Sequence, residues 1–409
     1  MDARLKLLPL LFLYLLIVAL HLPTSLDGDE ARYVIYARNL SQGYYSLPGE
    51  IRLENGPGYP LILLPFVLSK APWGAARLLN APFLFFAILY FFCTLRRYLK
   101  ESHAFYAALI LGLNPLFLKE LHLLYTEVFS IFLTSGFAFH FCKAHRREEG
   151  KRRELVIAAF YLGFLALTKF FYGWVLMTGF IFFLAASWIR KTEVLRKTFW
   201  LYLLALLFCT PYLVYTYSLT GKPFFWGTNG GVCLYWMSSP FEGELGDWLG
   251  SRTNQLQAFG IRETMKHHRK IFDEISSLGL AEADARLTAE ALRNIRNHPF
   301  KFIKNWFCNI GRSLFDYPFS YTFQRMSTLF NIGINMFIAV FSGVCAYLSF
   351  IGRRRIPFEI FSLLFFALIS FGGNSLLCAY ERLFRVLVPI VSLWILVTLQ
   401  RTITFKIRS

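Results

Sequence analysis

The chain has 409 residues, of which 56% are hydrophobic, and its mean hydropathy is +0.46. These values exclude an ordinary water-soluble domain, and repeated apolar runs approaching about 20 residues predict a polytopic helical membrane protein. The net charge of +18 does not indicate nucleic-acid binding, because the basic residues cluster in short loops between apolar runs, as they do on the cytoplasmic side of membrane proteins.

The apolar runs predict an all-α bundle of about 10 transmembrane helices, with an upper bound of 12, in which both basic termini lie inside. The ten spans cover residues 7–22, 74–95, 104–118, 124–142, 155–168, 170–189, 198–218, 328–351, 357–377 and 383–400. The apolar stretch Tyr59–Ser69 is too short for a comfortable span, so we expect it to be re-entrant or interfacial.

The spans divide the chain into three parts. An N-terminal membrane module covers residues 1–218 and contains a first outer loop at 23–73, an outer loop region covers 219–327, and C-terminal spans cover 328–409. Juxtamembrane helices are expected on the outer side, because Ala, Leu, Glu and Arg dominate the chain up to Asn297 and Pro299 then ends the helix. Lysines alternating with aromatics after Pro299 predict a segment that lies along the membrane surface.

The outer loop region gives little sign of metal or disulfide chemistry. His267 and His268 are adjacent, so on a helix they point to different faces and form a poor metal pair. Cys233 and Cys308 share the loop, and the sequence leaves open whether they form a disulfide. No metal ligand set is predicted, although a role for a divalent cation is left open.

The first outer loop begins with DGDEARYVIYARNLSQGYY, which runs from Asp27 to Tyr45. Asp27 and Glu30 have capping-box spacing, and Gly43 is a suitable stop, so a helix is predicted over 28–42. Its polar residues share one face, because they recur at i, i+3, i+7 and i+10; they are Asp29, Arg32, Tyr36 and Asn39. This face is predicted either to meet a substrate or simply to be solvated.

A second carboxylate favours the substrate interpretation. Glu127 lies just inside the outer end of a predicted span, where a charge costs about 2.5–3.5 kcal/mol and usually faces a cavity or a partner. The topology places Glu127, Asp29, Lys169, Arg382 and Arg385 on one membrane face. Carboxylates and cations at headgroup depth suggest chemistry on an anionic lipid, with snorkelling of the cations as the simpler alternative.

Five motifs, in order along nearly the whole chain, resemble those of polyprenyl-phosphate-sugar-dependent glycosyltransferases with the GT-C fold, a group that includes protein O-mannosyltransferases and the lipid A aminoarabinose transferase. They are DEARYVIYARNLSQGYY, GPGYPLILLPF at 56–66, LYTEVFS at 124–130, TNGGVCLYW at 228–236 and ERLFRVLVP at 381–389. Each motif is weak alone, but their order and their common membrane face strengthen the resemblance.

The resemblance implies roles for individual residues. Asp29 matches a catalytic base with Glu30 beside it, and Glu127 matches a second acidic residue that positions the acceptor or the sugar. Substrate binding is implied for residues that lie in or near the matching motifs or on the same membrane face; they are Arg32, Tyr36, Asn55, Tyr59, Lys169, Asn229, Arg382 and Arg385.

The resemblance also implies a reaction. A sugar on a polyprenyl phosphate passes to a hydroxyl of a lipid, glycan or protein acceptor, with inversion, on the extracytoplasmic face of a bacterial inner membrane. The lipid-linked sugar is a co-substrate, and no resident cofactor is expected. The alternatives are a secondary transporter or flippase of an anionic substrate, or a polysaccharide polymerase or ligase that shares the lipid-linked donor.

Overall fold

The computed structural model describes residues 4–26, 28–47, 49–146, 151–250, 262–321, 326–351, 356–377 and 379–402. These residues form α-helices and one short 3-10 turn at Leu5–Leu7, and they contain no β-strand. Asp27, the predicted helix cap, lies outside the described residues, as does Cys378.

The first half of the chain forms eleven helices within the described residues. They are α1 (Leu8–Leu20), α2 (Asp29–Ser41), α3 (Gly58–Leu68), α4 (Trp73–Leu78), α5 (Asn80–Leu95), α6 (Glu101–Gly112), α7 (Pro115–Leu118), α8 (Thr126–His145), α9 (Lys151–Thr168), α10 (Phe171–Arg190) and α11 (Glu193–Thr220).

The second half begins with the outer helices and returns to the membrane. Its described helices are α12 (Gly230–Met237), α13 (Arg262–Ile275), α14 (Leu280–Asn297), α15 (Pro299–Phe315), α16 (Ser327–Ile351), α17 (Phe358–Ser375), α18 (Glu381–Arg385) and α19 (Val388–Thr402).

Five helical stretches among the described residues are long and apolar enough to cross a bilayer, so the chain is a multi-pass membrane protein. They are Trp73–Leu95, Phe171–Arg190, Glu193–Thr220, Thr328–Ile351 and Phe358–Ser375, and each matches a predicted span. Leu5–Leu20 and Val388–Thr402 are apolar but shorter. The count of ten therefore stays a prediction. Gly58–Leu68 is an apolar helix of 11 residues, too short to span, as its sequence predicts.

The bundle has two chemically different ends. At one end the predicted cytoplasmic loops meet, because Tyr98 Oη donates to Glu359 Oε1 at 2.9 Å and the His145 ring contacts Thr198 Oγ1 at 2.9 Å. At the opposite end lie the first outer loop and the starts of α8, α10 and α18. We call this second end the site face.

The first outer loop is more tightly packed than a surface helix. Helix α2 ends one residue before Gln42, and Gly43 has a φ of +88°, which favours glycine. Tyr33, Tyr36 and Ala37 of α2 are all buried, because the helix packs against α3 and the loop after it folds back over it. The GPG sequence at the start of α3 permits a close approach, since a Cβ at Gly56 would lie 2.0 Å from the Leu167 carbonyl oxygen.

The outer helices α12 to α14 form a second, smaller core. Its buried members include Trp236, Phe272 and Leu287. It is fastened to the first outer loop where the Thr228 amide donates to the Leu53 carbonyl at 2.9 Å. Cys233 and Cys308 both lie in this part of the chain, and no disulfide joins them.

Candidate active site

Seven charged side chains on the site face form a row in which cations and carboxylates alternate. We call it the charge row. In order, its members are Arg52, Glu54, Arg32, Asp29, Arg382, Glu127 and Lys169. They come from the first outer loop, from α2, from the start of α8, from the link between α9 and α10, and from α18.

Asp29 lies at the centre of the charge row. Its carboxylate accepts a hydrogen bond from Arg32 one turn along α2, and a second from Arg382 Nη1 at 3.0 Å. Burial acts to raise the pKa of Asp29, but the guanidiniums of Arg382 and Arg32 outweigh it and hold the pKa below its ordinary value. The side chain is 20% exposed, so the carboxylate is still reachable by a substrate.

Arg382 connects the two predicted acidic residues. Its Nε lies 3.9 Å from Glu127 Oε1, while its Nη1 binds Asp29. The rings of Tyr125 and Tyr380 lie 5.8 and 5.6 Å from the guanidinium carbon, which adds cation–π attraction. The Arg382 side chain is 33% exposed, so one part of this fixed cation remains open to a ligand.

Glu127 is the deepest carboxylate of the row. Its side chain is only 4% exposed, and Lys169 Nζ donates to Oε1 at 2.9 Å. Glu127 lies in the first turn of α8 at the site face, where Lys169 and Arg382 pair its charge. The structure thus brings together Asp29, Arg32, Glu127, Lys169 and Arg382, as the topology predicts.

Glu30 occupies a different environment from its neighbour Asp29. Its buried carboxylate receives Arg77 Nη2 at 3.0 Å and the Leu124 amide at 2.6 Å. Arg77 Nη1 and Nη2 also donate to the carbonyls of Pro23 and Ser25 at 2.8 and 2.9 Å. This buried ion pair joins α2, α4 and the loop before α8, and it offers no open face to a substrate.

Arg385 also differs from the prediction that both arginines of α18 face one ligand. Its guanidinium is buried, lies 2.8 Å from Glu120 and donates to Glu381 Oε1 at 2.6 Å. Lys119 reaches the same Glu381 at 3.7 Å. Three residues of separation do not make the two arginines equivalent, because Arg382 points toward Asp29 while Arg385 is enclosed by carboxylates.

Three other predicted substrate-binding residues lie within the protein framework. Tyr36 is buried, donating to the Arg52 carbonyl at 3.3 Å and accepting from the Glu54 amide at 3.1 Å. Tyr59 is buried, with its ring 5.3 Å from that of Tyr33. Asn55 donates toward Tyr33 Oη at 3.5 Å. They shape the first outer loop rather than forming the charge row itself.

Asn229 stands at the beginning of α12 and makes no hydrogen bond or ion pair with the charge row in the part of the chain that the structure describes. Conversely, sequence reasoning missed Glu54, Arg52 and Arg77. A carboxylate directly before the Asn-Gly-Pro turn was the available signal for Glu54, and an arginine near the start of the apolar run 74–95 was the signal for Arg77.

An apolar groove of about 660 Å³ lies on the other side of α18, between α16, α17 and α19. Phe371, Phe384 and Leu387 line it near the site face, and Phe350 and Ser349 line it near the opposite end. Phe384 and Arg382 lie on the same short helix, so the groove begins across α18 from the charge row and extends toward the opposite end of the bundle.

The arrangement of the helices identifies the class of fold. The chain has the all-helical GT-C fold, as shown by its similarity to the archaeal oligosaccharyltransferase AglB from Archaeoglobus fulgidus, whose structure was solved with an inhibitory peptide and a dolichol-phosphate. The TM-score is 0.52 at 16% identity, covering 96% of this chain and 50% of that chain. The chain therefore spans about half the length of AglB.

A family model and a second solved protein are also similar to this chain. Residues 61–215, less than half of the chain, match the family model of dolichyl-phosphate-mannose-protein mannosyltransferases. The structure of ArnT from Cupriavidus metallidurans bound to undecaprenyl phosphate aligns with a TM-score of 0.43 at 14% identity, covering 98% of this chain and 77% of that chain. A comparison with curated protein sequences found no match. The family-model match and the fold shared with AglB confirm the resemblance to GT-C glycosyltransferases that use polyprenyl phosphates.

Proposed function

We propose that the protein is a membrane glycosyltransferase that moves a sugar from a polyprenyl-phosphate donor to an acceptor hydroxyl. The observation that supports this most directly is Asp29, a reachable carboxylate held beside the partly exposed guanidinium of Arg382. In this proposal Asp29 is the base and Arg382 is the phosphate-binding cation, and their side chains lie 3.0 Å apart. The donor's prenyl chain fits the apolar groove that begins at Phe384.

In this proposal Asp29 accepts the proton of the acceptor hydroxyl as the oxygen attacks the anomeric carbon. The bond from that carbon to the phosphate oxygen breaks, and polyprenyl phosphate leaves with the bonding electrons. One displacement inverts the anomeric centre and needs no covalent intermediate. Arg382 stabilises the charge that develops on the leaving phosphate, and a guanidinium suits this because it offers parallel donors.

Donor binding also prepares the base. The phosphate competes with Asp29 for Arg382, so the carboxylate loses one of its two cationic partners when the donor arrives. Its pKa then rises toward a range in which proton transfer is more effective. Arg32 keeps the carboxylate oriented on α2 throughout.

We assign Glu127 and Lys169 to the inner wall of the site, where the pair fixes Arg382 from below. Glu30 and Arg385 are left out of the reacting set, because their charges are enclosed by protein partners. A resident divalent cation does not fit the site, since the Asp29 and Glu127 carboxylates each already lie between two positively charged side chains.

The orientation belongs to the same proposal. The short basic loops meet at the end opposite the charge row, and this favours a site on the extracytoplasmic side of a bacterial inner membrane. The acceptor is a hydroxyl of a lipid, glycan or protein.

The test is transfer of a radiolabelled sugar from polyprenyl-phosphate sugar in proteoliposomes, with release of polyprenyl phosphate measured in parallel. Asp29→Asn should lower kcat by about 10²–10⁴-fold, because the amide cannot take the proton. Glu50→Gln, an exposed change in the same loop, serves as the control. Activity of Asp29→Asn within about twofold of wild type at equal folded protein contradicts the base assignment, and transport without release of polyprenyl phosphate favours the transporter alternative.

A further inference from the structure

Helix α15 has the reverse of the polarity expected for a helix at a protein surface in water. The face buried against the protein is polar and carries Lys301, Asn305, Asn309 and Arg312. The opposite face exposes large apolar side chains, with Phe300 85%, Phe307 65% and Ile303 44% exposed. Burial of apolar surface is the main favourable contribution to folding, so this orientation requires an apolar medium outside.

The polar side chains of α15 form specific hydrogen bonds with the rest of the protein. Asn305 Nδ2 donates to the Met237 carbonyl at 3.0 Å, and Arg312 Nη2 donates to the Leu245 carbonyl at 2.8 Å. Lys301 Nζ donates to Asn305 Oδ1 at 2.7 Å. Because these buried polar groups are satisfied only in this orientation, α15 cannot rotate its apolar face inward without leaving them unpaired.

The apolar face also lies at membrane depth. Asn335 of α16 donates to the Leu314 carbonyl near the end of α15 at 2.6 Å. Asn335 is eight residues into a membrane span, which corresponds to about 12 Å from its start at 1.5 Å per residue. Leu329 and Phe330 at the start of that span are themselves exposed apolar residues, so they continue the same surface.

We propose that α15 lies in the plane of the membrane, with Phe300, Ile303 and Phe307 in the acyl region of the leaflet on the site face. Its partner is the lipid of that leaflet. Lys304, half exposed between the aromatic residues, pairs with the exposed Glu242 at 3.3 Å, which places this ion pair at headgroup height.

Through this anchoring α15 also positions Arg382. Trp306 Nε1 donates to Ser375 Oγ at 2.8 Å, and Asn309 Nδ2 donates to the Ser375 carbonyl at 3.0 Å. Ser375 ends α17, six residues before α18, and α15 packs directly against α18. The depth of α15 in the leaflet therefore sets the height of Arg382 above the bilayer. This second step rests on the proposed function, whereas the immersion of α15 does not.

Immersion is tested by spin labels at Phe300→Cys and Phe307→Cys in a cysteine-free protein reconstituted into phosphatidylcholine vesicles. Leu292→Cys on α14 is the matched control, because Leu292 is an exposed apolar residue of the outer helices. We expect labels at 300 and 307 to be accessible to oxygen and protected from a water-soluble nickel chelate, and the label at 292 to show the opposite. Nickel accessibility at 300 and 307 equal to that at 292 overturns the proposal, and protection from both reagents indicates a protein partner instead of lipid.

The positioning role is tested with paired substitutions at Phe300 and Phe307. The double variant Phe300→Asp/Phe307→Asp should raise the donor KM by tenfold or more. Phe300→Trp/Phe307→Trp should leave the donor KM near wild type, because Trp is favoured at the membrane interface. Leu292→Asp should have no effect. Adding Arg382→Lys to Phe300→Asp/Phe307→Asp should raise the donor KM by less than the product of the increases that the two variants cause separately, since both act on the same cation. Equal KM for the Asp and Trp pairs overturns the positioning role. Wild-type protein without transfer activity refutes the proposed function but leaves the spin-label result intact.

Discussion

Arg382 is the side chain on which the candidate site depends most, because its guanidinium is ion-paired with both Asp29 and Glu127. Arg385, on the same short helix, has the same charge and chemical type but is surrounded by Glu120 and Glu381. The same substitution made at each of the two arginines therefore distinguishes a phosphate-binding role from a structural one.

We predict that Arg382→Lys lowers kcat/KM for sugar transfer by tenfold or more, equivalent to about 1.4 kcal/mol of transition-state stabilisation, because an ammonium group cannot bind a phosphate with two parallel donors. Arg385→Lys should instead lower the melting temperature and leave the activity of the folded fraction largely unchanged. Steady-state kinetics and thermal unfolding in detergent measure the two effects. Loss of activity without loss of stability in Arg385→Lys would return Arg385 to the phosphate site.

A second prediction at this scale concerns pH. Arg32 and Arg382 lower the pKa of Asp29, so replacing Arg32 removes one of these effects and raises that pKa. In Arg32→Gln the acidic limb of the kcat/KM profile should therefore move to higher pH, because a carboxylate with a raised pKa stays protonated, and inactive as a base, up to a higher pH. Arg38→Gln changes the charge of the same helix at an exposed position and should leave the limb in place. The profile is measured from about pH 4 to pH 8, and coincident limbs for the two variants would argue against Asp29 as the titrating base.

At the scale of elements, the pair of Glu30 and Arg77 explains how α2 comes to hold Asp29 over the start of α8. The pair links α2 to α4, and the Leu124 amide donates to the same carboxylate three residues before Glu127. Glu30 therefore acts on the site by fixing two helices relative to each other.

We predict that Glu30→Gln destabilises the protein by about 3–5 kcal/mol, since it leaves the buried Arg77 without its counter-charge. The double variant Glu30→Met/Arg77→Met should recover only part of the loss, because it removes the unpaired charge but leaves the Leu124 amide and the Pro23 and Ser25 carbonyls without these side-chain partners. Glu50→Gln, which is exposed, should change stability by less than about 0.5 kcal/mol. Thermal and denaturant unfolding of the three variants decide the matter, and wild-type stability of Glu30→Gln would contradict the assignment.

Element boundaries were largely predictable where local chemistry decides them. The start and stop signals around α2 gave its bounds within about one residue, and the five helical stretches that are long and apolar enough to cross a bilayer each match a predicted span. Face assignments were harder. Helical periodicity grouped Tyr36 with Asp29, but the chain after α2 folds back and buries Tyr36, a contact between residues 16 positions apart that periodicity does not detect.

The same limit applies to the ion pairs. Topology alone placed Asp29, Glu127, Lys169 and Arg382 on one face, and the structure brings them into contact. Topology could not predict that the adjacent residues Glu30 and Asp29 have different environments. The difference is caused by Arg77, which is 47 residues away from Glu30 and pairs with it. Pairing partners distant in the chain decide which of two neighbouring carboxylates is enclosed and which is open.

At the scale of the whole molecule, the bundle separates basic loops from the charge row, and this separation predicts its orientation. Cysteines placed at the exposed positions Gln42 and Glu242 should react with a membrane-impermeant maleimide added to intact cells. A cysteine at Lys100, exposed in a basic loop at the other end, should react only after permeabilisation. Labelling of Lys100→Cys from outside would invert the orientation and place the site in the cytoplasm.

The charge row has a consequence for turnover. It contains four cations and three carboxylates, so it carries one surplus positive charge. A sugar-linked phosphate diester has one negative charge and balances that surplus. The spent carrier is a monoester, whose second ionisation near pH 6 gives it a charge of roughly −1.5 to −2 at neutral pH. The proposed function therefore predicts that the site holds its product more strongly than its substrate and that the spent carrier leaves slowly.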